Sequence, residues 1–204
     1  IIAVASGKGG TGKTMLSLSL AKASKEAVQI LDCDVEEPND HLFFKEDFYS
    51  SEVISLLVPD IDEALCDGCG ECSKFCEYNA IATFTGKAML FVEMCHACGG
   101  CKMVCPKNAI TEKAQRIGTV DKLQHGNLTL VQGKLDVGMA MAPPLISAVK
   151  KQLDTNKRVI FDAPPGTSCP AVETVHDSDF VILISEPTPF GLNDLVLAVQ
   201  MLRA

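Results

Sequence analysis

Short apolar runs alternate near both ends of the chain with segments whose apolar residues recur at helical spacing. Residues 1–5 form the first apolar run, residues 13–26 place Leu16 and Leu20 on one predicted helix face, and residues 28–31 form a second run. The first run leads into a glycine-rich loop. This order of strand, loop, helix and strand predicts the beginning of a parallel α/β sheet.

The same alternation returns in the second half of the chain. Residues 116–123 and 127–132 flank His125-Gly126 and predict a hairpin. The later predicted elements are a helix at 143–153, strands at 158–161 and 180–184, and an amphipathic helix at 192–202. We therefore predict an α/β fold with a mostly parallel sheet flanked by helices, and we expect this sheet to continue beyond residue 204.

The middle of the chain interrupts this alternation and contains its own repeat. Residues 66–81 and 95–110 are related by a shift of 29 positions, with cysteines and an Asn-Ala-Ile triplet at equivalent places. The repeat predicts a duplicated, inserted module at residues 60–114. The remaining residues, 1–59 and 115–204, are predicted to form one discontinuous domain.

Composition narrows the class of protein. Apolar residues make up 47% and charged residues 22%, which is typical of a globular chain with a core. The net charge of −8 argues against nonspecific nucleic-acid binding, because nothing in it would neutralise a phosphate backbone. No apolar stretch reaches the roughly 20 residues that a membrane helix needs, and no signal-peptide pattern is present. We therefore expect a cytoplasmic protein without a membrane segment in this chain.

Residues 7–14 read GKGGTGKT and match the phosphate-loop pattern G-x-x-x-x-G-K-[ST] between a predicted strand and a predicted helix. Glycines in such a loop let backbone N–H groups wrap phosphates at a helix N-terminus. Lys13 then reaches the outer phosphates of ATP, and the Thr14 hydroxyl ligates Mg²⁺. The predicted nucleotide ligands are Gly7, Gly9, Gly10, Thr11, Gly12, Lys13 and Thr14. An ordinary glycine-rich turn is the alternative.

A second lysine in the loop, Lys8, is not needed by an ordinary phosphate loop. With it, the loop resembles the deviant Walker A motif of the MinD/ParA/Mrp and nitrogenase iron-protein class of P-loop NTPases. Asp32-Cys33-Asp34 with Pro38-Asn39 is similar to the switch I of that class. Residues 162–167, which read DAPPGT, are similar to its Walker B and switch II.

This resemblance implies roles for residues outside the general motif. Lys8 would reach across a nucleotide-dependent homodimer to the partner's nucleotide. Asp34 would position the attacking water, Asp162 would hold Mg²⁺ through its water shell, and the Gly166 N–H would sense the γ-phosphate. The alternative for Asp34 is solvation at a strand end.

The ten cysteines of the chain are unevenly spread, since eight lie between Cys66 and Cys105. A secreted disulfide scaffold would distribute them through a chain with a signal sequence, so metal ligation is the better interpretation. Each run reads C-x₂-C-x₂-C-x₃-C, the pattern of bacterial two-cluster ferredoxins, in which the fourth cysteine ligates the other cluster. Zinc is the main alternative, but zinc sites do not need a third cysteine at the same interval.

The crossed pattern assigns two sets of 4Fe–4S ligands. The first cluster would use Cys66, Cys69, Cys72 and Cys105, and the second would use Cys95, Cys98, Cys101 and Cys76. Pro106 follows Cys105 as the ferredoxin pattern requires, whereas Glu77 follows Cys76. The inserted module is therefore predicted to have a small α+β fold like that of bacterial ferredoxins.

The two motif sets together resemble MinD-superfamily ATPases with an inserted ferredoxin domain. This resemblance favours an ATPase whose nucleotide state gates electron transfer through the clusters to an unknown redox partner. One alternative is a cluster carrier similar to Mrp, which needs an exposed cysteine pair outside the ferredoxin set. Cys33 and Cys169 stand alone and are interpreted as packing residues. The other alternative is a regulatory ATPase whose clusters sense redox state.

Overall fold

The structure is a computed structural model in which residues 1–203 are described. The strands in this range are β1 Ile2–Ala5, β2 Val28–Asp32, β3 Ser50–Ile61, β4 Ile81–Phe84, β5 Lys87–Leu90, β6 Ile110–His125, β7 Leu128–Leu135, β8 Arg158–Asp162 and β9 Phe180–Leu183. The α-helices are α1 Lys13–Ala23, α2 Glu71–Phe75, α3 Gly100–Met103, α4 Ala142–Lys150, α5 Cys169–Val175 and α6 Pro189–Arg203. Short 3₁₀ turns lie at Asp40–Phe43 and Val92–Met94.

The chain divides into two compact units. The first unit comprises Ile1–Ile54, Gly118–Leu135 and the described chain from Ala142 onward. The second unit comprises Ser55–Ile117 and Asp136–Met141. All of residues 60–114, the segment predicted to be an inserted module, fall within the second unit.

Seven strands form the main sheet in the order β3-β6-β7-β2-β8-β1-β9. The pairs β7–β2, β2–β8, β8–β1 and β1–β9 are parallel, and β6–β7 is antiparallel. The α/β fold with a mostly parallel sheet is thus confirmed. All five residues of β2 are buried, as expected of a central parallel strand that is covered on both faces.

The core of the first unit holds this sheet against α1. Val4, Ile30, Leu130 and Ile160 from four adjacent strands pack in one cluster with Leu18 of the helix. Burial of a side chain of this size contributes about 1.5–3 kcal/mol to folding. Because α1 follows the glycine loop directly, this packing fixes the loop relative to the ends of the strands.

Several predicted helices and strands begin or end at different residues in the structure. The hairpin is confirmed, since β6 pairs with β7 from Gly118 to His125, but β6 begins at Ile110 and not at residue 116. Helix α1 ends at Ala23 and α4 ends at Lys150, each three residues before its predicted end. Strand β3 was not among the predicted elements. It contains Pro59, and its position at the sheet edge tolerates the proline.

The second unit repeats its backbone conformation with the period of the sequence. Positive φ angles occur in pairs 29 residues apart: Gly68 (69°) and Ala97 (52°), Gly70 (81°) and Gly99 (73°), Asn79 (53°) and Asn108 (50°). Two backbone bonds are related by exchange of the repeats: Asp62 N–H donates to Ala109 at 2.8 Å, and Phe91 N–H, at the position equivalent to Asp62, donates at 2.8 Å to Ala80, at the position equivalent to Ala109. Cys72, Ile81, Cys101 and Ile110 form its small core. The two cysteine runs are therefore held by the same local structure.

Candidate functional site

The candidate nucleotide site lies where three parallel strands end. In register, Asp162 of β8 pairs with Val4 of β1 on one side and with Asp32 of β2 on the other. The carboxyl ends of parallel strands meet at one edge of a sheet, which is where open α/β sheets bind ligands. The glycine loop after β1 therefore lies at the same edge as both aspartates.

The loop leaves polar groups free for a ligand. Gly10 and Gly12 have φ angles of 76° and 94°, conformations that side chains rarely adopt. Helix α1 begins at Lys13 without a side-chain cap, so its first N–H groups are open to an anion. The buried Oγ1 atom of Thr11 has no hydrogen-bond partner within residues 1–203. These features fit a phosphate-binding loop.

The predicted Mg²⁺ residues Thr14 and Asp162 are brought together. The Thr14 hydroxyl donates to Asp162 Oδ2 at 2.7 Å, and the Ser17 hydroxyl donates to Asp162 Oδ1 at 3.0 Å. Lys13 is also buried, and its charge opposes the effect of burial on the Asp162 carboxyl group, whose pKa is raised mainly by that burial. Ser17 is absent from the predicted ligands, although its spacing of three from Thr14 puts both on one helix face.

Asp34, the residue predicted to position water, is half-buried beside an open cavity. That cavity has a volume of about 250 Å³ and is also lined by Pro164 and Pro165. Burial raises the pKa of Asp34 to about 6, and the nearby Lys13 charge opposes this rise. The cavity beside Asp34 has room for water, and the role of Asp34 in positioning a water molecule stays a prediction.

The two other residues implied by the deviant motif have partners within the chain. The Gly166 N–H donates to the Ser6 carbonyl at 3.0 Å, so contact with a γ-phosphate requires exchange of this bond. Lys8 Nζ lies 2.6 Å from Glu186 Oε2, with the two side chains 34% and 41% exposed. Glu186 was not predicted to take part. Its place just after β9 puts it at the same sheet edge, which is the signal that could have identified it.

Asp32 organises the segment that is similar to switch I. Its carboxylate accepts the backbone N–H groups of Asp34 at 3.1 Å, Asn39 at 3.2 Å and Asp40 at 3.3 Å. The side chain is 1% exposed, so it is not a solvated strand end. Asp40 is fully buried in the same place and was not predicted to belong to the site.

Two cavities of the second unit are each lined by four cysteines. One cavity is lined by Cys66, Cys69, Cys72 and Cys105. The other is lined by Cys76, Cys95, Cys98 and Cys101. Each cavity thus takes three cysteines from one run and the last cysteine from the other run. These groups have the same membership as the two predicted ligand sets, whose metal-binding role stays a prediction.

The thiols differ in exposure within each cavity. Cys72 and Cys101 are the most buried, and Cys69 and Cys98 are exposed. Burial, together with a smaller effect of the neighbouring Cys95, raises the pKa of Cys101 to about 11. Burial likewise raises the pKa of Cys72. Nearby positive charge would therefore favour ionisation of Cys72 and of Cys101.

The second cavity is the larger, at about 340 Å³, and aromatic side chains lie on it. Tyr78 and His96 stack with ring centroids 3.4 Å apart and an interplanar angle of 8°. His96 is exposed. Of the two isolated cysteines, Cys33 is fully buried and packs in the core as expected. Cys169 is exposed at the start of α5, so its interpretation as a packing residue is wrong.

Comparison with known proteins places the nucleotide site in a family. Residues 2–163 match the model of the CobQ/CobB/MinD/ParA nucleotide binding domain. The chain belongs to this family. The resemblance of its loop to the MinD/ParA class is thereby confirmed, and the site at the strand ends is that of a MinD/ParA-like nucleotide-binding domain.

Relatives of this MinD/ParA-like chain include two uncharacterized proteins of Methanocaldococcus jannaschii. MJ0578 is 39% identical over 99% of the chain and 73% of its own length, and MJ0579 is 33% identical over 100% and 75%. Among solved structures, the septum site-determining protein MinD of Pyrococcus horikoshii, complexed with Mg-ADP, has a TM-score of 0.52 at 18% identity. The comparison covers 99% of the chain, which spans 64% of the length of that MinD. Within residues 1–203, every helix is too short or too polar to cross a bilayer.

Proposed function

We propose that the chain binds and hydrolyses ATP and carries two 4Fe–4S clusters, and that its nucleotide state gates electron transfer through those clusters to a partner protein. One observation carries the proposal: a MinD/ParA-like domain shares its chain with two cavities that each collect four cysteines in the crossed pattern. The proposed setting is the cytoplasm, where cysteines stay reduced and available as ligands.

The residues of the nucleotide site fit Mg-ATP. Lys13 and the uncapped start of α1 supply the positive groups that a triphosphate requires. The Thr14 hydroxyl and the Asp162 carboxylate supply oxygen atoms, the ligand type that Mg²⁺ prefers, already 2.7 Å apart. When bound, Mg²⁺ neutralises charge that develops on the phosphates. Asp34 holds the attacking water in the space beside it, and Lys8 is supplied to the nucleotide of a second copy.

The cysteine sets fit an iron–sulfur cubane better than they fit zinc. Four thiolates around tetrahedral zinc lie about 3.8 Å apart, given zinc–sulfur bonds of about 2.3 Å. Over residues 1–203, the one group of three metal-binding side chains with ligand atoms within 4.8 Å of one another consists of aspartates and contains no cysteine. A cubane accepts thiols that are spread more widely, because each thiolate binds a different iron. When bound, a 4Fe–4S cluster supplies one-electron redox chemistry.

Hydrogen bonds and charges of the chain itself are placed to adjust the potentials of the two proposed clusters. The Ala80 N–H donates to Cys76 Sγ at 3.3 Å, and the Ala109 N–H donates to Cys105 Sγ at 3.3 Å. Hydrogen bonds to ligand sulfurs stabilise the reduced form of a cluster, because that form carries one more negative charge. Glu77 follows Cys76 in the sequence, and its negative charge opposes reduction of the cluster that Cys76 is proposed to ligate. We therefore propose that the two clusters differ in potential.

The first test is the metal content of anaerobically purified protein. We expect about eight irons and eight sulfides per chain and, after reduction, EPR signals of two interacting clusters. Zinc in place of iron, or a single cluster, would contradict the proposal. Retention of both clusters during mild chelation separates the proposed redox protein from a cluster carrier.

The second test is nucleotide binding by the same samples. We expect Mg-ATP to bind and to be hydrolysed slowly, and we expect Lys13→Ala to abolish binding because it leaves the phosphate oxygens uncompensated. The iron content of this variant serves as the control, since Lys13 lies in the first unit and should leave the cysteine module loaded. ATP binding that is unchanged in Lys13→Ala would contradict the assignment of the loop.

A further inference from the structure

Three buried carboxylates meet beside the phosphate loop. Atoms of Asp32, Asp40 and Asp162 that could each ligate a metal lie within 4.8 Å of one another. The three side chains are 1%, 0% and 2% exposed. Asp162 accepts two hydroxyl donors and Asp32 accepts three backbone donors. The two carboxylates at the strand ends are thus satisfied.

Asp40 is different, because neither of its carboxylate oxygens accepts a hydrogen bond from a donor group within residues 1–203, and its side chain lies at hydrogen-bonding distance from the Asp162 carboxyl group. Burying an unpaired carboxylate is strongly unfavourable, and a second and third negative charge nearby increase the cost. The site therefore lacks positive charge, which either a proton or a cation would supply.

A second buried oxygen without a hydrogen-bond partner among the described residues belongs to a residue on the strand next to Asp32. Gln132 of β7 is the register partner of Asp32, so the two side chains project from the same face of the sheet. Gln132 is 2% exposed, and its Oε1 atom has no hydrogen-bond partner in the described part of the chain. Amide and carboxylate oxygens are both ligands of hard divalent cations. Gln132 Oε1 and the two Asp40 oxygens are therefore acceptors of the kind that such a cation binds.

We infer that Asp40, with Asp32 and Asp162, binds a divalent cation such as Mg²⁺ or Mn²⁺ directly and without nucleotide. The inference rests on the proposed nucleotide site, because Asp162 is also the residue that is expected to hold Mg²⁺ when ATP is bound. It adds to that site a ligand, Asp40, that a phosphate loop does not need. The free protein thus holds its cation before the nucleotide arrives.

The test is a titration of nucleotide-free protein with Mn²⁺, followed by the loss of the EPR signal of free Mn²⁺ while the clusters are oxidised. We expect one Mn²⁺ to bind per chain. Asp40→Asn keeps the size of the side chain, removes the charge and should weaken binding by at least about tenfold, since even indirect partners of metal ligands matter this much. Asp47→Asn, an exposed aspartate on the same segment, should bind as the unmodified protein does.

Thermal unfolding gives a second readout that a merely structural role would not produce. Mg²⁺ at about 100 times its dissociation constant should raise the Tm of the nucleotide-free protein by roughly 5–10 °C. Asp40→Asn should have a higher Tm than the unmodified protein in EDTA, because the unpaired charge is gone, and should respond little to Mg²⁺. Asp40→Ala should also lose the response to Mg²⁺.

Two results would overturn the inference. One is that Mn²⁺ binds only after ATP is added, which would mean that Asp40 is protonated and shares its proton with Asp162. The other is that Asp40→Asn binds Mn²⁺ as tightly as the unmodified protein. Mg-ATP binding and iron content, measured on the same samples, show separately whether the proposed function holds.

Discussion

Glu186 holds Lys8 within its own chain, so its removal should favour the ATP-bound dimer. In Glu186→Gln the side chain keeps its size and loses the charge that lies 2.6 Å from Lys8 Nζ. If Lys8 serves the nucleotide of a second copy, it must first leave Glu186. The variant should therefore dimerise more tightly in the presence of a non-hydrolysable ATP analogue, and Lys8→Ala should dimerise less tightly.

The size of the effect follows from the exposure of the ion pair. Its two side chains are 34% and 41% exposed, so solvent screens the attraction despite the short distance. Exposed pairs of this kind contribute about 0.2–1 kcal/mol each. A symmetric dimer breaks two of them, which makes the total about 0.4–2 kcal/mol. We therefore expect the dimer dissociation constant to fall by roughly 2- to 30-fold.

Sedimentation equilibrium of the protein with and without the analogue measures this constant. Glu26→Gln is the matched control, because it breaks the 2.8 Å pair between Glu26 and Arg158, which is at least as exposed and lies away from the loop. The reasoning is refuted if Glu186→Gln dimerises no more tightly than the unmodified protein. It is also refuted if the control variant produces the same change, or if Lys8→Ala dimerises normally.

Two further substitutions test the packing of the loop and the crossed ligand sets. In Gly7→Ala the added Cβ would lie 2.3 Å from the Asp194 carbonyl oxygen, so Tm should fall by about 2–12 °C, whereas Gly9→Ala, with 3.9 Å to its nearest neighbour, should unfold near the unmodified Tm. Cys105→Ser should remove about four irons, those held with the first cysteine run, and Cys76→Ser about four held with the second. Calorimetry and EPR of the reduced variants measure these outcomes. The same EPR change in both cysteine variants would contradict the crossed assignment.

The parts of the fold that could be predicted depend on local patterns. Apolar runs and helical spacing identify β1, α1 and β2, and the glycine at 126 marks the hairpin, because each signal lies within a few residues of the element it creates. Strand β3 escapes prediction because Pro59 and its many exposed residues remove the usual pattern of a strand. Its pairing depends on a neighbour that is distant in the sequence.

The residues of the candidate site also fall into those that a local sequence motif predicts and those that only the folded structure reveals. The loop, Asp34 and Asp162 lie in short motifs and were predicted, as was the membership of the two cysteine groups. The partner of Lys8 is 178 residues away in the sequence, so no local motif could reveal it. Asp40 directly follows the recognised Asn39, but only the folded chain shows that its carboxylate is buried without a donor.

The central claim is that the nucleotide state and the redox state of the clusters are coupled. Such coupling must be reciprocal, so it can be measured from either side. The most direct measurement is a redox titration of the clusters with no nucleotide, with ADP and with a non-hydrolysable ATP analogue. We predict that at least one potential shifts by roughly 60 mV, which corresponds to a tenfold change in affinity for a one-electron couple. ATP should then bind oxidised and reduced protein with affinities that differ by the same factor. Identical potentials in all three conditions, together with equal ATP affinities in both redox states, would contradict the account and leave two independent functions on one chain.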